Sequence, residues 1–383
     1  MVLLKSDAGK TINRMRYKDA AACLAELVRV YLKNSLGHLQ ELFRQLFVPG
    51  IDLVLDARGS TREILVCSNS YLFSYFNDYS VSNPPIHCFD SSLTSFGGLS
   101  LNTTNSPYFA AAASVGAYAL FAGGYLSTAT DIVPTSSVYA FSDSLIRTNP
   151  TALSSARAAL GGTSVGNYAL FAGGNTSATV STMTASTITN AYSATLVRST
   201  PTALSAARIA LVGISNGTHA VFAGGCNSSG SMLTNVDAYT ASLTRTALAA
   251  LTSNNNGYFP CAYAAISDYF LFHNGNTGFD IYSKALVKQS FVSTSPNIGL
   301  SGCNTSDRGC AVFLGLESSA SKKALGFSFD NTLVRTTILT PELPVVSCAA
   351  IGFKDHVVFA KGRYYNESTL TPIRHAQTLR YYK

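Results

Sequence analysis

The sequence predicts a mostly β fold made of repeated four-stranded units, preceded by an N-terminal α-helical segment. The first observation is a run that occurs as Tyr-Ala-Leu-Phe-Ala-Gly-Gly twice and as His-Ala-Val-Phe-Ala-Gly-Gly once. The second glycine of the run stands at positions 124, 174 and 225, so the period is 50 to 51 residues. A period of this size is typical of repeat architectures, in which each unit needs neighbours to bury its core. The second observation is an apolar heptad pattern before residue 50, which predicts the helix.

The apolar part of each run is predicted to be a buried β-strand, because it is too short for a helix and ends in glycines. The two glycines let the chain leave the strand through backbone conformations that other residues rarely adopt. We therefore assign a structural role to the glycine pairs Gly123 and Gly124, Gly173 and Gly174, and Gly224 and Gly225.

Three further features recur in these units. A Ser/Thr/Asn-rich loop leads to a strand with an aromatic residue, Leu-x-Arg follows that strand, and Thr-Ala-Leu-Ser-x-Ala-Arg leads to another apolar strand. Each unit should therefore contain four short strands. Because the arginines recur once per unit, we expect them to pack or hydrogen-bond between units rather than form a basic surface for nucleic acid. These repeated residues are Tyr139, Tyr192, Tyr239, Arg147, Arg198, Arg245, Arg157 and Arg208.

Weaker copies of the pattern extend the array in both directions. Later copies begin at Tyr269, Ala311 and Val357, and an opening copy without glycines begins at Tyr71. We therefore expect seven units between residues 63 and 383, after a connecting strand within residues 51–62. Closure into a ring is favoured, because an open array of this size would expose long sheet edges. The expected fold is a seven-bladed β-propeller.

This pattern resembles that of kelch-repeat β-propellers, in which an apolar strand ends in Gly-Gly and is followed by a Tyr and then a Trp. The glycine pairs with Tyr139, Tyr192 and Tyr239 match the first two elements, and Arg157 and Arg208 suit the segment between blades. The third element is missing, since the chain contains no Trp and Leu-x-Arg stands near that place. The resemblance implies the propeller fold and carries no particular kelch function to this chain.

Residues 1–50 are predicted to form a helical arm for oligomerisation or anchoring. From residue 17 to 47 there is no Pro, and apolar residues alternate at spacings of four and three, as in a coiled-coil seam. Two interpretations stay open: a stalk that forms a trimer or dimer or inserts into a larger assembly, and a helix packed on the flank of the propeller. Charged residues interrupt the apolar surface, so we expect no membrane insertion. The seam residues assigned to oligomerisation are Val28, Leu32, Leu39, Leu42 and Leu46.

The sequence contains no recognisable catalytic, cofactor or metal motif. The six histidines are scattered, and the eight cysteines show neither Cys-x-x-Cys nor histidines at metal-binding spacing. We expect mostly buried thiols, and a pair between Cys303 and Cys310 stays open. No carboxylate pair typical of glycoside hydrolases stands out, and residues 1–5 are too short for the core of a secretory signal. We therefore expect a protein that is not an enzyme and that needs no cofactor.

Function is expected to lie in the loops after the glycine pairs, because these differ most between otherwise similar units. The interpretation that these loops are only solvated spacers stays equally open. The candidate binding residues are Tyr125, Asp131, Asn175, Asn227, Tyr364 and Tyr365. The low fraction of charged residues (12%), the near-identical repeats and the helical arm together resemble a bacteriophage tail, fibre or other virion protein. The leading hypothesis is a virion module that binds assembly proteins through the arm and a host glycan or protein through the loops.

Two alternatives remain. The first is a cytoplasmic kelch-type adaptor that holds other proteins. The second is a polysaccharide-cleaving propeller enzyme, because carboxylates distant in sequence could converge at a propeller axis.

Overall fold

The computed structural model describes most of the chain after residue 50, within one compact unit, Pro49–Lys383. The described residues are 51–56, 63–76, 86–99, 107, 109–127, 132–178, 182–252, 262–274, 278–292, 298–305, 307–316, 324–338, 345–346, 349–354, 356–360, 362–366, 369–373 and 375–380. The predicted helical arm, its seam residues and Asp131 lie outside the described residues.

All regular secondary structure in the described residues is β. Strand β1 (Ile51–Asp56) comes first, and blade 1 follows with β2 (Glu63–Cys67), β3 (Leu72–Phe76), β4 (Ile86–Phe89) and β5 (Ser95–Leu99). Blade 2 spans β6 (Ala111–Val115), β7 (Tyr118–Ala122), the hairpin of β8 (Tyr125–Ser127) and β9 (Ile132–Pro134), β10 (Val138–Ser142) and β11 (Arg147–Thr148). Blade 3 contains β12 (Gly161–Val165), β13 (Tyr168–Ala172), β14 (Thr189–Ser193) and β15 (Arg198–Ser199). Blade 4 contains β16 (Val212–Ser215), β17 (His219–Ala223), β18 (Val236–Thr240) and β19 (Arg245–Leu248).

The remaining strands continue this order. Blade 5 contains β20 (Tyr263–Ala265), β21 (Tyr269–His273), β22 (Gly278–Ser283) and β23 (Lys288–Val292). Blade 6 contains β24 (Ile298–Asn304), β25 (Cys310–Leu316), β26 (Ala324–Asp330) and β27 (Arg335–Thr337). The last strands are β28 (Val345–Val346), β29 (Ala349–Phe353), β30 (His356–Ala360), β31 (Gly362–Asn366), β32 (Thr369–Ile373) and β33 (His375–Arg380).

The sheets are arranged radially as a β-propeller. In blades 1 to 6 the four main strands pair antiparallel in chain order, while β8 and β9 pair with each other. The first strands contact one another in a closed sequence: β2, β6, β12, β16, β20, β24, β29 and again β2. The first strand of each sheet is therefore the innermost, and the mostly β class and the four-stranded units are confirmed.

The sheet that closes the ring is composite. Blades 1 to 6 are each built from one continuous stretch, whereas the closing sheet has the order β29, β30, β33 and β1. Its outer strand comes from before blade 1, with Ile51 opposite Leu379 and Asp56 opposite His375. The prediction that residues 63–383 contain seven complete blades is therefore wrong, because six lie wholly in that range. The strand within residues 51–62 belongs to the closing sheet, where it holds the two ends of the propeller together.

The core lies between neighbouring sheets. Leu120 of blade 2 and Phe171 and Tyr192 of blade 3 belong to one cluster, and the same scheme continues around the ring. The second strands are buried on both faces, which explains their unbroken apolar sequence. The first strands approach so closely that a Cβ at Gly162 would overlap the carbonyl oxygen of Ala112 in the neighbouring blade.

The two ends of the propeller differ. We call "turn face" the end with the turns that join first to second and third to fourth strands. We call "loop face" the end with the loops after the second strands and the segments between blades. The loop face carries the β8–β9 hairpin, and it also carries a small sheet in which β31 pairs with both β28 and β32.

Candidate functional site

The glycine pairs stand where the second strands end on the loop face. Gly123 and Gly124 have φ angles of 68° and 105°, and the later pairs repeat these positive values. Gly123 N donates a hydrogen bond to Ser137 O at 2.9 Å, and Gly124 N donates to Arg157 O at 2.9 Å. A side chain at Gly123 would also overlap the carbonyl oxygen of Arg157. The pair thus lets the chain bend away from the strand and receive the connecting segment of the next blade.

Arg157 joins blades 2 and 3 through its main chain and its side chain. Its carbonyl oxygen accepts the hydrogen bond from Gly124 in blade 2. Its fully buried guanidinium reaches blade 3, where Nη1 donates to the carbonyl oxygens of Gly173 and Ile188, both at 2.6 Å. Nη2 donates to Asn190 Oδ1 at 2.7 Å. One residue therefore connects the glycine pairs of two successive blades.

Arg208 makes the same connection between blades 3 and 4. Gly174 N donates to its carbonyl oxygen at 2.8 Å, and its Nη1 donates to Asn235 O at 2.7 Å and Gly224 O at 3.3 Å. Its Nη2 forms a buried ion pair with Asp237. Burial lowers the pKa of Arg208, and the negative charge of Asp237 opposes this shift.

The two arginines differ in charge compensation. Asn190 and Asp237 occupy the same register, since Asn190 lies opposite Phe171 and Asp237 opposite Phe222 in the second strands. Arg157 therefore has a neutral amide where Arg208 has a carboxylate. Burial lowers the pKa of Arg157 to about 10. A buried guanidinium without an anion costs stability, which its three neutral acceptors offset only in part.

The buried carboxylates of blades 4 and 5 are engaged in structural contacts. Asp237 also accepts a hydrogen bond from Arg245 Nη1 at 2.7 Å, in the fourth strand of its blade. Asp280 accepts a hydrogen bond from Thr252 N at 2.7 Å and pairs with Lys288 at 2.9 Å. The position of Asp237 and Asp280 beside the blade aromatics in the sequence indicates a capping or bridging role but does not name their partners. The recurrence of these carboxylates two residues before a buried Tyr was the available signal.

The aromatic position in the third strands differs from the expectation in blade 2. Tyr192 and Tyr239 are equivalent, since Tyr192 lies opposite Ala169 and Tyr239 opposite Ala220. In blade 2 the residue opposite Ala119 is Phe141. Tyr139 stands two residues earlier, with Arg147 over its ring at 5.9 Å. The aromatic residue stands six residues before the arginine in each blade, as in 141–147, 192–198 and 239–245. This constant spacing identifies Phe141 as the equivalent of Tyr192 and Tyr239.

The tyrosines and the Leu-x-Arg arginines hold the connecting segments. The hydroxyl of Tyr192 donates to Thr151 O at 2.7 Å, and that of Tyr239 donates to Thr202 O at 2.8 Å. Arg198 Nη1 donates to Ala152 O at 2.6 Å. Arg147, Arg198 and Arg245 occupy equivalent positions, each at the start of a fourth strand.

The leucine of Leu-x-Arg lies in the turn between the third and fourth strands. Leu145, Leu196 and Leu243 have φ angles of 58°, 62° and 62°, values that are uncommon for a bulky residue. Leu196 packs against the cluster shared by blades 2 and 3, and Leu243 against the cluster shared by blades 3 and 4. The packing between blades therefore accounts for a turn conformation that recurs around the propeller.

The candidate binding residues of blades 2 and 3 contact each other. Asn175 Nδ2 donates to the Tyr125 hydroxyl at 2.5 Å, and burial raises the pKa of this Tyr. Asn175 is only 2% exposed, and its Oδ1 accepts hydrogen bonds from Thr184 N at 2.7 Å and Ser177 N at 3.1 Å. These two residues therefore shape the loop face from beneath instead of standing open to a ligand.

The loops of blades 3 and 4 also interlock. Asn227 Oδ1 accepts hydrogen bonds from Ser229 N and Ser231 N, both at 2.9 Å, and so fixes an exposed hairpin tip. Ala185 N of blade 3 donates to Ser228 Oγ at 2.9 Å. Beneath them lies a small apolar cluster that comprises Ala159, Met183, Ala185, Ile209, Ala210, Cys226 and Met232. Tyr364 and Tyr365 lie in β31, in the small sheet of the same face.

Three further chemical features of the described part of the chain bear on its function. No three His, Cys, Asp or Glu side chains there come together in a way that could hold a metal ion. Cys303 and Cys310 are both buried free thiols, so the pair left open by the sequence is absent. No helix among the described residues is long and apolar enough to cross a membrane.

The geometry places this chain in the class of β-propeller proteins. None of the protein-family models and curated proteins compared with the chain matches it. A solved structure of YjhT is similar over 84% of this chain and 96% of that chain, with a TM-score of 0.52 and 8% sequence identity. At this identity the likeness concerns the fold alone.

Proposed function

We propose that this protein is a non-enzymatic binding module whose loop face contacts a partner. The observation that carries the proposal is the difference between the two faces. Short turns with recurrent leucines form the turn face, whereas the loop face carries the β8–β9 hairpin, the Asn227 hairpin and the β28–β31–β32 sheet. Variable loops on a rigid scaffold are a common form of binding site.

The frame beneath these loops supports this proposal. The buried arginines connect successive blades through the glycine pairs, so the loops start from fixed points. The exposed tip around Asn227 presents the side chains of Ser228, Ser229 and Ser231. Hydroxyl and amide groups of this kind suit hydrogen bonds to a glycan or to the polar surface of a protein.

We further propose that the propeller is of the kelch type and belongs to a virion, as a tail, fibre or baseplate-associated protein. The Gly-Gly repeats, the low charge of the chain and the apolar seam of the arm support this placement. The arm would bind other virion proteins and assemble the chain into a trimer or dimer. A cytoplasmic adaptor and a polysaccharide-cleaving enzyme are the alternatives that the experiment must separate.

A bulky charge on each face tests the proposal. Ser229→Arg alters the exposed loop-face tip, and Ser144→Arg places the same change in an exposed turn of the opposite face. We expect the loop-face variant to weaken binding to a glycan array or to host cells by about tenfold, and the turn-face variant to bind like the original chain. Equal binding by both variants would contradict a loop-face site. Release of sugar from surface polysaccharides would favour the enzyme. Binding to other proteins in the absence of virions would favour the adaptor.

A further inference from the structure

Arg308 spans the turns of three successive blades on the turn face. It lies between β24 and β25, and its carbonyl oxygen accepts a hydrogen bond from Ser267 N at 3.0 Å in blade 5. Its guanidinium lies against Gly217 of blade 4, where a Cβ would overlap Nη1. These turns end the innermost strands, so the guanidinium lies at the turn-face end of the inner ring.

Within the described part of the chain, the side chain of Arg308 has no partner of the kind found for six other arginines. Arg157, Arg198, Arg208 and Arg245 donate to protein oxygens, and Arg147 and Arg335 lie over the rings of Tyr139 and Phe327. Among the described residues, no acceptor, carboxylate or ring engages the Arg308 guanidinium. The side chain is nevertheless half-buried, and burial lowers the pKa of Arg308. A cation that loses water without gaining an anion costs free energy.

The backbone that carries Arg308 is held in one conformation. Arg308 has a φ of 57°, and its N donates to Thr305 O at 2.8 Å. Asp307, the acidic neighbour in the turn, accepts hydrogen bonds from Thr305 Oγ1 at 2.6 Å and Gly309 N at 2.9 Å. The turn thus uses this carboxylate for its own geometry and fixes the origin of the arginine side chain.

We propose that Arg308 is the centre of a binding site for a small oxyanion, such as a carboxylate or a sulfate. The planar guanidinium offers two parallel N–H donors, which match the two oxygens of such a group. Lys284, on the turn between β22 and β23, adds positive charge on this face. The pKa of His219, two residues from Gly217, is lowered mainly by burial and secondly by the positive charge of Lys284.

The test is a titration of the folded full-length chain with sulfate and with acetate, at constant ionic strength kept with chloride. The unfolding temperature and isothermal calorimetry both report binding. Sulfate can also stabilise a protein by being excluded from its surface, but that stabilisation does not saturate as the sulfate concentration rises. The variants are Arg308→Ala, Arg308→Lys and Arg147→Ala. The last removes an equal charge from the opposite side of the ring and serves as the control.

We expect saturable binding by the original chain and by Arg147→Ala. Arg308→Ala should weaken anion binding by about tenfold or more. Arg308→Lys should weaken it less, because the positive charge is kept while the two parallel N–H donors of the guanidinium are lost. Equal saturable binding by Arg308→Ala would place the anion elsewhere and overturn the proposal. Absence of saturable binding by the original chain would also overturn the proposal. Arg308 would then have only a structural role, in which it links the turns of three blades. If Arg308→Ala does not fold, Arg308→Lys decides.

Discussion

Asn190 and Asp237 show how one residue position sets the electrostatics of a blade junction. Each accepts a hydrogen bond from the fully buried arginine of the preceding connecting segment, Arg157 or Arg208. The surrounding contacts also repeat, since Ser154 and Ser205 hydrogen-bond to the two side chains in equivalent places. The junctions differ in this carboxylate and in the arginine of the fourth strand, since Arg245 also pairs with Asp237 whereas Arg198 donates to Ala152 O. Exchange of the two side chains therefore tests the effect of the carboxylate.

We expect Asp237→Asn to lower the free energy of unfolding by about 2 kcal/mol, because Arg208 loses its buried counter-charge. The reverse change, Asn190→Asp, should raise it by about 1 kcal/mol by giving Arg157 a counter-charge. The hydroxyl of Ser154 can turn to donate to the new carboxylate. Urea unfolding at pH 7 measures both values, and each variant is the control for the other. Destabilisation of similar size by both changes would show that the shape of the side chain, not its charge, determines stability at this position.

The buried Tyr239 gives a prediction for alkaline pH. Burial raises the pKa of Tyr239 from the ordinary value of 10.0 to about 12, so the folded chain keeps a proton that the unfolded chain loses first. Stability is therefore present below pH 10 and falls as the pH rises through about 12. In Tyr239→Phe this group is absent, so we expect a less steep loss of stability over that interval. Because the charge on Arg157 changes equally in both proteins, the difference reports Tyr239 together with its coupling to Arg208. Parallel curves would contradict the assignment.

At the scale of elements, the sequence was most informative where the pattern is local. The second strands and glycine pairs are continuous in sequence, and their burial explains their composition. The third strand of blade 2 was ambiguous because Tyr139 and Phe141 are both aromatic and lie on the same side of the strand. Asn175 is polar and follows a glycine pair, so only the folded contact with Tyr125 reveals that it is buried.

The closing sheet could not be derived from local sequence. Strand β1 carries no repeat motif, and its partner β33 lies more than 300 residues further along the chain, as the pair Ile51 and Leu379 shows. Long-range pairing of this kind depends on the closure of the whole ring. The partner of Asp237 could not be predicted for a related reason, since Arg208 is 29 residues away.

Deletion of β1 tests the composite sheet. Removal of residues 1–62 exposes the edge of β33 and takes away the strand that holds the ends of the propeller together. We expect a loss of more than about 2 kcal/mol in stability and an increased tendency to aggregate. Removal of residues 1–50 keeps β1 and is the matched control, which should unfold at nearly the same urea concentration as the full chain. Equal stability of the two deletions would contradict a structural role for β1.

At the scale of the whole molecule, the propeller separates stability from recognition. Contacts between blades use the second strands, the buried arginines and the positive-φ leucines, and these recur with the repeat. A hairpin follows the glycine pairs of blades 2, 3 and 4, with Tyr125 opposite Pro134, Asn175 opposite Ala185 and Cys226 opposite Met232, but it differs in length and sequence from blade to blade. Substitutions at exposed loop tips should therefore alter binding with little effect on folding, whereas the junction residues should do the opposite.

The last prediction concerns the arm, whose seam is predicted from the sequence and lies outside the described residues. We expect an apolar seam of this length to be an interaction surface, because large apolar patches mark association sites. The triple change of Leu32, Leu39 and Leu42 to Asp places charge in the seam and should abolish self-association, while the propeller keeps its stability because its blades bury their cores against each other. Analytical ultracentrifugation measures the first effect and urea unfolding the second. A triple change of Lys33, Gln40 and Arg44, which lie off the seam, to Ala is the control. If the full chain and the Asp variant are both monomers, the arm does not form a stalk, and the interpretation of a helix on the flank of the propeller gains support.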